Sequence, residues 1–340
     1  MDRGARKPRK DTTLEMSPLA ENRRVGKLEI LVTGAAGFVG RHLCRQLCDE
    51  GHRVHATSPR PHATLKSGPE WHRVDMDDLG ATRRLFAAIE PDVVYHLASD
   101  AGARPDLALV LSTFQSLLAS TINVLVAAME AECPRIVLTG SLTEPPPSDE
   151  FAVPRSPCAA ATWAGAGYGR MYHDLFRAPV VILRPFMTFG PGQALTKLVP
   201  TAILDLLRGE RPKMSGAANA ADWVYISDVV EGFASAATAP GIEGQTIDLG
   251  TGTLVPNRSV VERIAGILGG EIEPELGALL DRPSEHAISA NVSDARRYLR
   301  WQARTSLDEG LRQTVDWYRS GAAGQRLRGL PQLTEAGQPC

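Results

Sequence analysis

Apolar positions along this 340-residue chain come in two periodicities that take turns. Short runs at 28–33, 53–57, 72–75, 92–97, 135–139 and 180–183 have the length and composition of strands, the first and fourth reading as buried ones. Between them, apolar residues recur three and four positions apart. That spacing predicts a helix ending near residue 50 and further helices at 82–89, 106–131 and 157–176. Strands that alternate with helices predict an α/β fold built on a doubly wound parallel sheet. A Pro- and Gly-rich stretch at 185–192 marks a change of character. Shorter elements follow it, so 28–184 reads as one domain. Residues 185–319 read as a smaller C-terminal substrate domain over the carboxyl ends of the strands, with some segments returning to the sheet. The polar, Arg- and Lys-rich residues 1–27 read as a disordered arm, and 320–340 as a tail.

Charge and cysteine usage narrow the function classes. Against 37 Lys and Arg stand 39 Asp and Glu, a net charge of −2. That balance gives no reason to expect a nucleic-acid partner. No unbroken run of about 18 apolar residues occurs, so no membrane span is expected. Cys44, Cys48, Cys133, Cys158 and Cys340 form no CxxC pair, which suits a reducing cytoplasm. Cys44 and Cys48 share a helix face without nearby His or Cys partners, so they read as packing residues and no metal site is expected.

The first strand runs into Gly34-Ala35-Ala36-Gly37-Phe38-Val39-Gly40, a glycine turn that opens a helix. Small residues there let a pyrophosphate approach the backbone, and the helix N-terminus favours its charge. A site for NAD usually places an acid at the end of the second strand, on the ribose 2′-hydroxyl. Here that strand ends Thr57-Ser58-Pro59-Arg60, with no carboxylate. Ser58 and Arg60, with Arg41 beside the glycine turn, are the candidates to hold a 2′-phosphate. NADP is therefore the expected cofactor and NAD the alternative; both arginines also read as ordinary surface charges.

Further motifs extend the picture: Asp92-Val-Val-Tyr-His-Leu-Ala98, Arg184-Pro-Phe-Met-Thr-Phe-Gly-Pro-Gly192, Asp222-Trp-Val-Tyr-Ile-Ser-Asp-Val-Val230 and Ser306-Leu-Asp-Glu-Gly-Leu311. With the glycine turn, they make residues 28–318 resemble the extended short-chain dehydrogenase/reductase superfamily, in its sugar-nucleotide epimerase and dehydratase group. The resemblance implies a Rossmann-type sheet, a small-molecule substrate and a homodimer paired through helices 106–131 and 157–176. It implies cofactor contacts at Asp75, which reads equally as a helix cap, and at Met76, Leu97, Ala98 and Pro185. It also implies substrate contacts at Thr143, Phe186 and Arg282. An arginine usual before the Asp222-Trp223 pair is here Ala221.

Catalysis in that superfamily uses a Ser or Thr with a Tyr and a Lys four residues apart on one helix face. Ser141 falls at the first position, after Thr139-Gly140. In Ser156-Pro157-Cys158-Ala-Ala-Ala-Thr162, Cys158 takes the Tyr position and Thr162 the Lys position. An alternative register uses Tyr168, which is followed by Tyr172 rather than Lys. Thr162 carries no charge to lower a neighbour's pKa. Cys158 reads as an acid, a nucleophile or a small apolar filler. Glu144 is a further candidate proton carrier, or a solvated loop acid. Three functions stay open: an epimerase, dehydratase or reductase with displaced acid–base chemistry, foremost; a non-redox lyase or cyclase; and a dinucleotide-binding protein without turnover.

Overall fold

The protein is described from a computed structural model over residues 26–62, 68–97, 105–144, 153–215, 219–270, 273–279 and 287–320. Seven strands make one all-parallel sheet. They are β1 (Glu29–Thr33), β2 (Arg53–Ser58), β3 (Glu70–Arg73), β4 (Val93–His96), β5 (Ile136–Thr139), β6 (Val180–Pro185) and, after three short strands outside the sheet, β10 (Thr246–Leu249). Their spatial order is β3-β2-β1-β4-β5-β6-β10. The order reverses between β1 and β4, which leaves a crevice at their carboxyl ends, the ligand-binding place in such sheets. Ile30, Leu31 and Val32 in β1 and Val93 and Val94 in β4 are fully or almost fully buried. Strands covered on both faces need such unbroken apolar content.

Helices cover both faces. On one side α1 (Phe38–Asp49) packs against α6 (Ile226–Ser235). On the other lie α2 (Leu79–Ile89), the long helix α3 (Leu107–Glu130) and α4 (Pro157–Phe176). Among the remaining elements are β7 (Met187–Phe189), α5 (Leu198–Leu207), β8 (Lys213–Ser215), β9 (Ala220–Tyr225), β11 (Leu254–Pro256), α7 (Asn257–Leu268), β12 (Glu275–Leu279) and α8 (Leu307–Arg319). They build a three-stranded sheet, β11-β9-β7, and a pair, β12-β8. One apolar core runs without interruption from the α1 side of the main sheet into these elements, through Phe189, Trp223, Val260 and Leu311.

The strands and helices expected from the pattern are present within a few residues. Helix α3 differs: six residues, Phe114–Ala119, form a π-helix, after a 3-10 turn at Leu107–Leu109. Hydroxyls bond back along it, Thr113 Oγ1 to Leu109 O at 2.5 Å, Ser116 Oγ to Ser112 O at 2.8 Å and Ser120 Oγ to Ser116 O at 2.7 Å. Such back-bonds compete with the regular ladder and bend it. By length and composition Leu107–Glu130 also passes for a membrane-crossing helix. The absence of an unbroken apolar run had not anticipated this, because Ser, Thr and Asn residues interrupt a stretch whose average is apolar. Val124, Leu125, Ala127 and Ala128 of that helix are buried in the core.

Candidate functional site

At the carboxyl end of β1 the chain turns through Gly34, whose φ of 66° suits a residue without a side chain. Gly37 N donates to Gly34 O at 2.9 Å and closes the turn. A Cβ on Gly40 would lie 2.3 Å from Gly34 O, and one on Gly37 3.0 Å from the same oxygen. The turn is therefore closed to any larger residue at Gly40. Gly37 caps α1 without any side-chain bond. The first N–H groups of that helix thus keep their capacity for an anion, with Phe38 and Val39 half-buried beside them. Leu97 adjoins this turn: its N–H bonds Thr33 O at 3.2 Å. These features fit a dinucleotide pyrophosphate.

At the end of β2, Ser58 Oγ accepts from Arg60 N at 3.1 Å and lies 3.0 Å from His62 Nε2. The His62 ring stacks on Trp71, centroids 4.1 Å apart. Arg60 is exposed beside them. His62 had no motif to announce it, since it lies past the strand on a turn. Arg41 does not join this group. Its Nη2 donates to Gly192 O, and its guanidinium lies 5.8 Å from the Phe38 ring centroid. Arg41, expected as a second 2′-phosphate cation, thus meets the loop after β7, where His42 Nε2 also meets Pro191 O at 3.0 Å. Asp75 is exposed, and its Oδ1 accepts from Asp77 N at 3.1 Å; the cap of α2 is Asp78, accepting from Ala81 N at 2.9 Å. Met76 is buried, and its carbonyl accepts from Asn123 Nδ2 at 2.9 Å.

At the end of β5, Ser141 Oγ and Thr143 Oγ1 are 2.8 Å apart, and Thr143 N donates to Ser141 Oγ at 3.1 Å. Glu144 turns inward. It is 5% exposed, and its Oε1 accepts from Ser141 N at 2.7 Å. Burial pushes its carboxyl above the usual range, opposed by the Ser141 N–H bond and by Arg184 and Arg170. Glu144 therefore holds the Ser141 loop, and its burial corrects the reading of a solvated loop acid. Phe186, expected at the substrate, is 5% exposed and packs with the apolar core, and Phe186 N bonds Leu249 O at 2.9 Å. Pro185 is half-buried at the end of β6, beside Leu249 of β10.

Ser156 starts α4 by accepting from Ala159 N at 3.1 Å, with Pro157 in the first turn. Gly165, Ala166 and Gly169 form its buried face; a Cβ on Gly169 would meet Leu138 at 2.7 Å. Thr162 lies over that face and lines a cavity of about 10 Å³ with His96, Thr121 and Thr139. One turn earlier on the same face comes Cys158, half-buried. Tyr168, the residue of the alternative register, is 40% exposed. Beneath Thr162, His96 Nδ1 lies 2.7 Å from Thr33 Oγ1, and its Nε2 lies 3.0 Å from Thr121 Oγ1. Burial takes the His96 pKa down to about 4, so this ring is neutral.

Ala98 and Arg282 lie outside the described residues. Ala221 is half-buried in β9, and its neighbour Asp222 does something that residue pattern alone did not reveal. Asp222 is 1% exposed and accepts from Thr251 N at 2.8 Å, Thr251 Oγ1 at 2.6 Å, Gly252 N at 2.7 Å and Ala290 N at 3.0 Å.

Residues 30–250 match the NAD dependent epimerase/dehydratase family. UDP-glucose 4-epimerase of Mycolicibacterium smegmatis is 30% identical, covering 86% of this chain and 99% of its own length. dTDP-glucose 4,6-dehydratase of Neisseria gonorrhoeae is 27% identical over 86% of this chain and 96% of its own. Among solved structures, MoeE5 in complex with UDP-glucuronic acid and NAD superposes with a TM-score of 0.77. It is 28% identical, covering 87% of this chain and all of that one (100%).

Proposed function

This chain belongs to the NAD-dependent epimerase/dehydratase family, and from that premise we propose that it binds a nicotinamide dinucleotide along the β1–α1 turn and acts on a sugar nucleotide. The observation that carries the proposal is the side-chain-free cradle of Gly34, Gly37 and Gly40 under an α1 N-terminus that no side chain caps. When bound, the dinucleotide supplies reversible hydride transfer at a substrate carbon. Ser141, with Thr143 bonded to it, offers a hydroxyl to the substrate oxygen. Glu144 holds that loop through the Ser141 N–H, and in this proposal Cys158 stands beside it, one turn before Thr162 on the same helix face. Thr162 brings no cation, so the proton step does not follow the Tyr–Lys route.

Dinucleotide binding without turnover is the second reading, and what favours it is the pairing of Cys158 with Thr162 where relatives of this superfamily carry Tyr and Lys. Mass spectrometry of cofactor that co-purifies, followed by incubation with UDP- and dTDP-sugars, separates the two readings. Epimerised or dehydrated product supports the enzyme, and bound cofactor with unchanged sugars supports the second. Neither cofactor nor product overturns both.

We further propose NADP over NAD, because β2 ends without a carboxylate and Arg60 stands exposed beside Ser58. Calorimetric titration is expected to give tighter NADP binding, and Arg60→Ala is expected to weaken NADP alone by about 1–3 kcal/mol. Equal or tighter NAD binding by the wild type refutes it.

A further inference from the structure

We propose that His55, His72 and Glu70 form a binding site for a divalent transition-metal ion of the zinc class, on the sheet face between β2, β3 and α2. The inference is independent of the dinucleotide site, which lies at the other ends of the strands.

Strand β2 is buried along almost its whole length, and His55 is 4% exposed within it. An imidazole at such a position needs polar partners. Parallel register sets His55 beside Leu31 on one side and Glu70 on the other, and Thr57 beside His72. Alternation along the strands then turns Glu29, His55, Glu70 and His72 to one face. His55 Nε2 lies 2.9 Å from Glu29 Oε2, and His55 Nδ1 lies 2.9 Å from His72 Nε2. Glu70 Oε2 is 3.8 Å from His55 Nδ1, and Glu70 Oε1 is 3.9 Å from His72 Nε2. One donor atom from each of His55, Glu70 and His72 lies within 4.8 Å of the others.

The tautomer follows from the acid. A carboxylate only accepts, so Glu29 fixes the proton of His55 on Nε2 and leaves a lone pair on Nδ1. That lone pair points at His72 Nε2, the arrangement of a carboxylate–histidine–metal relay. Two imidazole nitrogens on one tetrahedral zinc, at about 2.0–2.1 Å each, stand roughly 3.3 Å apart. Opening the present 2.9 Å gap that far is a shift of a few tenths of an ångström. Two nitrogens and one carboxylate suit zinc, nickel or copper and are too few and too soft for magnesium or calcium.

The surroundings complete a coordination site. A cavity of about 620 Å³ opens beside the three ligands, roomy enough for a fourth ligand from solvent. Its wall carries Glu29, Glu70, Glu90 and Asp92 against Lys27 and Arg53. Arg53 competes for Glu70, with Nη2 3.5 Å from its Oε2, but that guanidinium is 62% exposed and can swing aside.

The test uses untagged protein stripped with a chelator. Zinc chloride is titrated by calorimetry, and cobalt chloride by visible absorption, which reports four-coordinate nitrogen and oxygen ligation. Wild type is expected to bind one ion per chain at this site, and His72→Ala is expected to weaken it at least tenfold. Glu29→Ala, which frees the His55 tautomer, is expected to weaken it about 10- to 100-fold. Magnesium is expected not to compete. Dinucleotide binding is measured alongside and is expected to be unchanged, which shows that the variants fold. No binding by the wild type, or equal zinc affinity in wild type and His72→Ala, overturns the proposal.

Discussion

We propose that Cys158 and Thr162 stand where the superfamily's Tyr and Lys would, and the consequences follow from reach and charge. A tyrosine with no cation beside it keeps a pKa near about 10 and exchanges protons poorly at neutral pH. Cys158→Tyr alone and Thr162→Lys alone are therefore expected to change turnover little, while the double variant raises oxidation of a sugar-nucleotide substrate, followed by reduced-cofactor absorbance. Additive small effects would contradict the reading. His96 supports a second prediction. Its folded pKa of about 4 lies below the ordinary histidine value, so as pH falls from about 6.5 the unfolded chain takes up a proton that the folded chain refuses. Stability from this group is complete above that range and falls by about 3 kcal/mol on reaching pH 4. In urea unfolding from pH 7 to pH 4, His96→Gln is expected to show a shallower loss than wild type; parallel curves would exclude the assignment. Single residues were legible in the sequence where local spacing placed them, as in the glycine turn, where Gly34 takes a positive φ and Gly40 lies against Gly34 O. Arg41 was not, because its acceptor, Gly192 O, lies 151 residues away. The burial of Glu144 and Phe186 was not legible either, because Arg184 and Arg170, whose charges act on Glu144, and Leu249, which accepts from Phe186 N, lie far from them along the chain.

At the scale of elements, two helices leave apolar side chains uncovered. Leu107, Leu111 and Phe114 of α3 are 87%, 74% and 51% exposed, at the i, i+4 and i+7 spacing of one stripe. On the adjacent α4, Leu175 and Phe176 are 64% and 56% exposed. We propose that the two helices pair with those of a second copy. Light scattering is expected to give a dimer, and Leu111→Glu with Phe114→Glu to give a folded monomer of unchanged melting temperature. A monomeric wild type would refute this. The alternation of strand and helix revealed every strand of the main sheet before residue 190, because the parallel sheet keeps its strands apolar. The π-helix in α3 escaped notice: serine and threonine hydroxyls in a helical pattern do not reveal whether they face solvent or bond back to a carbonyl.

On the scale of the whole molecule, Asp222 binds the C-terminal elements together. Its two oxygens satisfy four donors from residues 251, 252 and 290, none of which it neighbours in sequence. Removing a buried acceptor strands each donor at about 1–3 kcal/mol. Asp222→Ala is therefore expected to lose at least about 3 kcal/mol and to lower the melting temperature by several degrees, with Asp222→Asn in between. An alanine variant that melts with the wild type would show that the donors find other partners. The same long reach explains why residues 185–319 were read only in outline: their order depends on contacts between distant segments, and spacing along the chain records none of them.

Strand β10 gives the main sheet its last edge, pairing Thr246–Leu249 with Ile182–Pro185. During synthesis these two segments leave the ribosome more than 60 residues apart, which at about 5–20 residues per second is a wait of roughly 3–13 s. Through that interval the outward row of backbone donors and acceptors along Val180–Pro185, on the side away from β5, has no strand to pair with. Nascent chains are thus most open to chaperones, or to one another, after the first six strands have formed and before the seventh arrives.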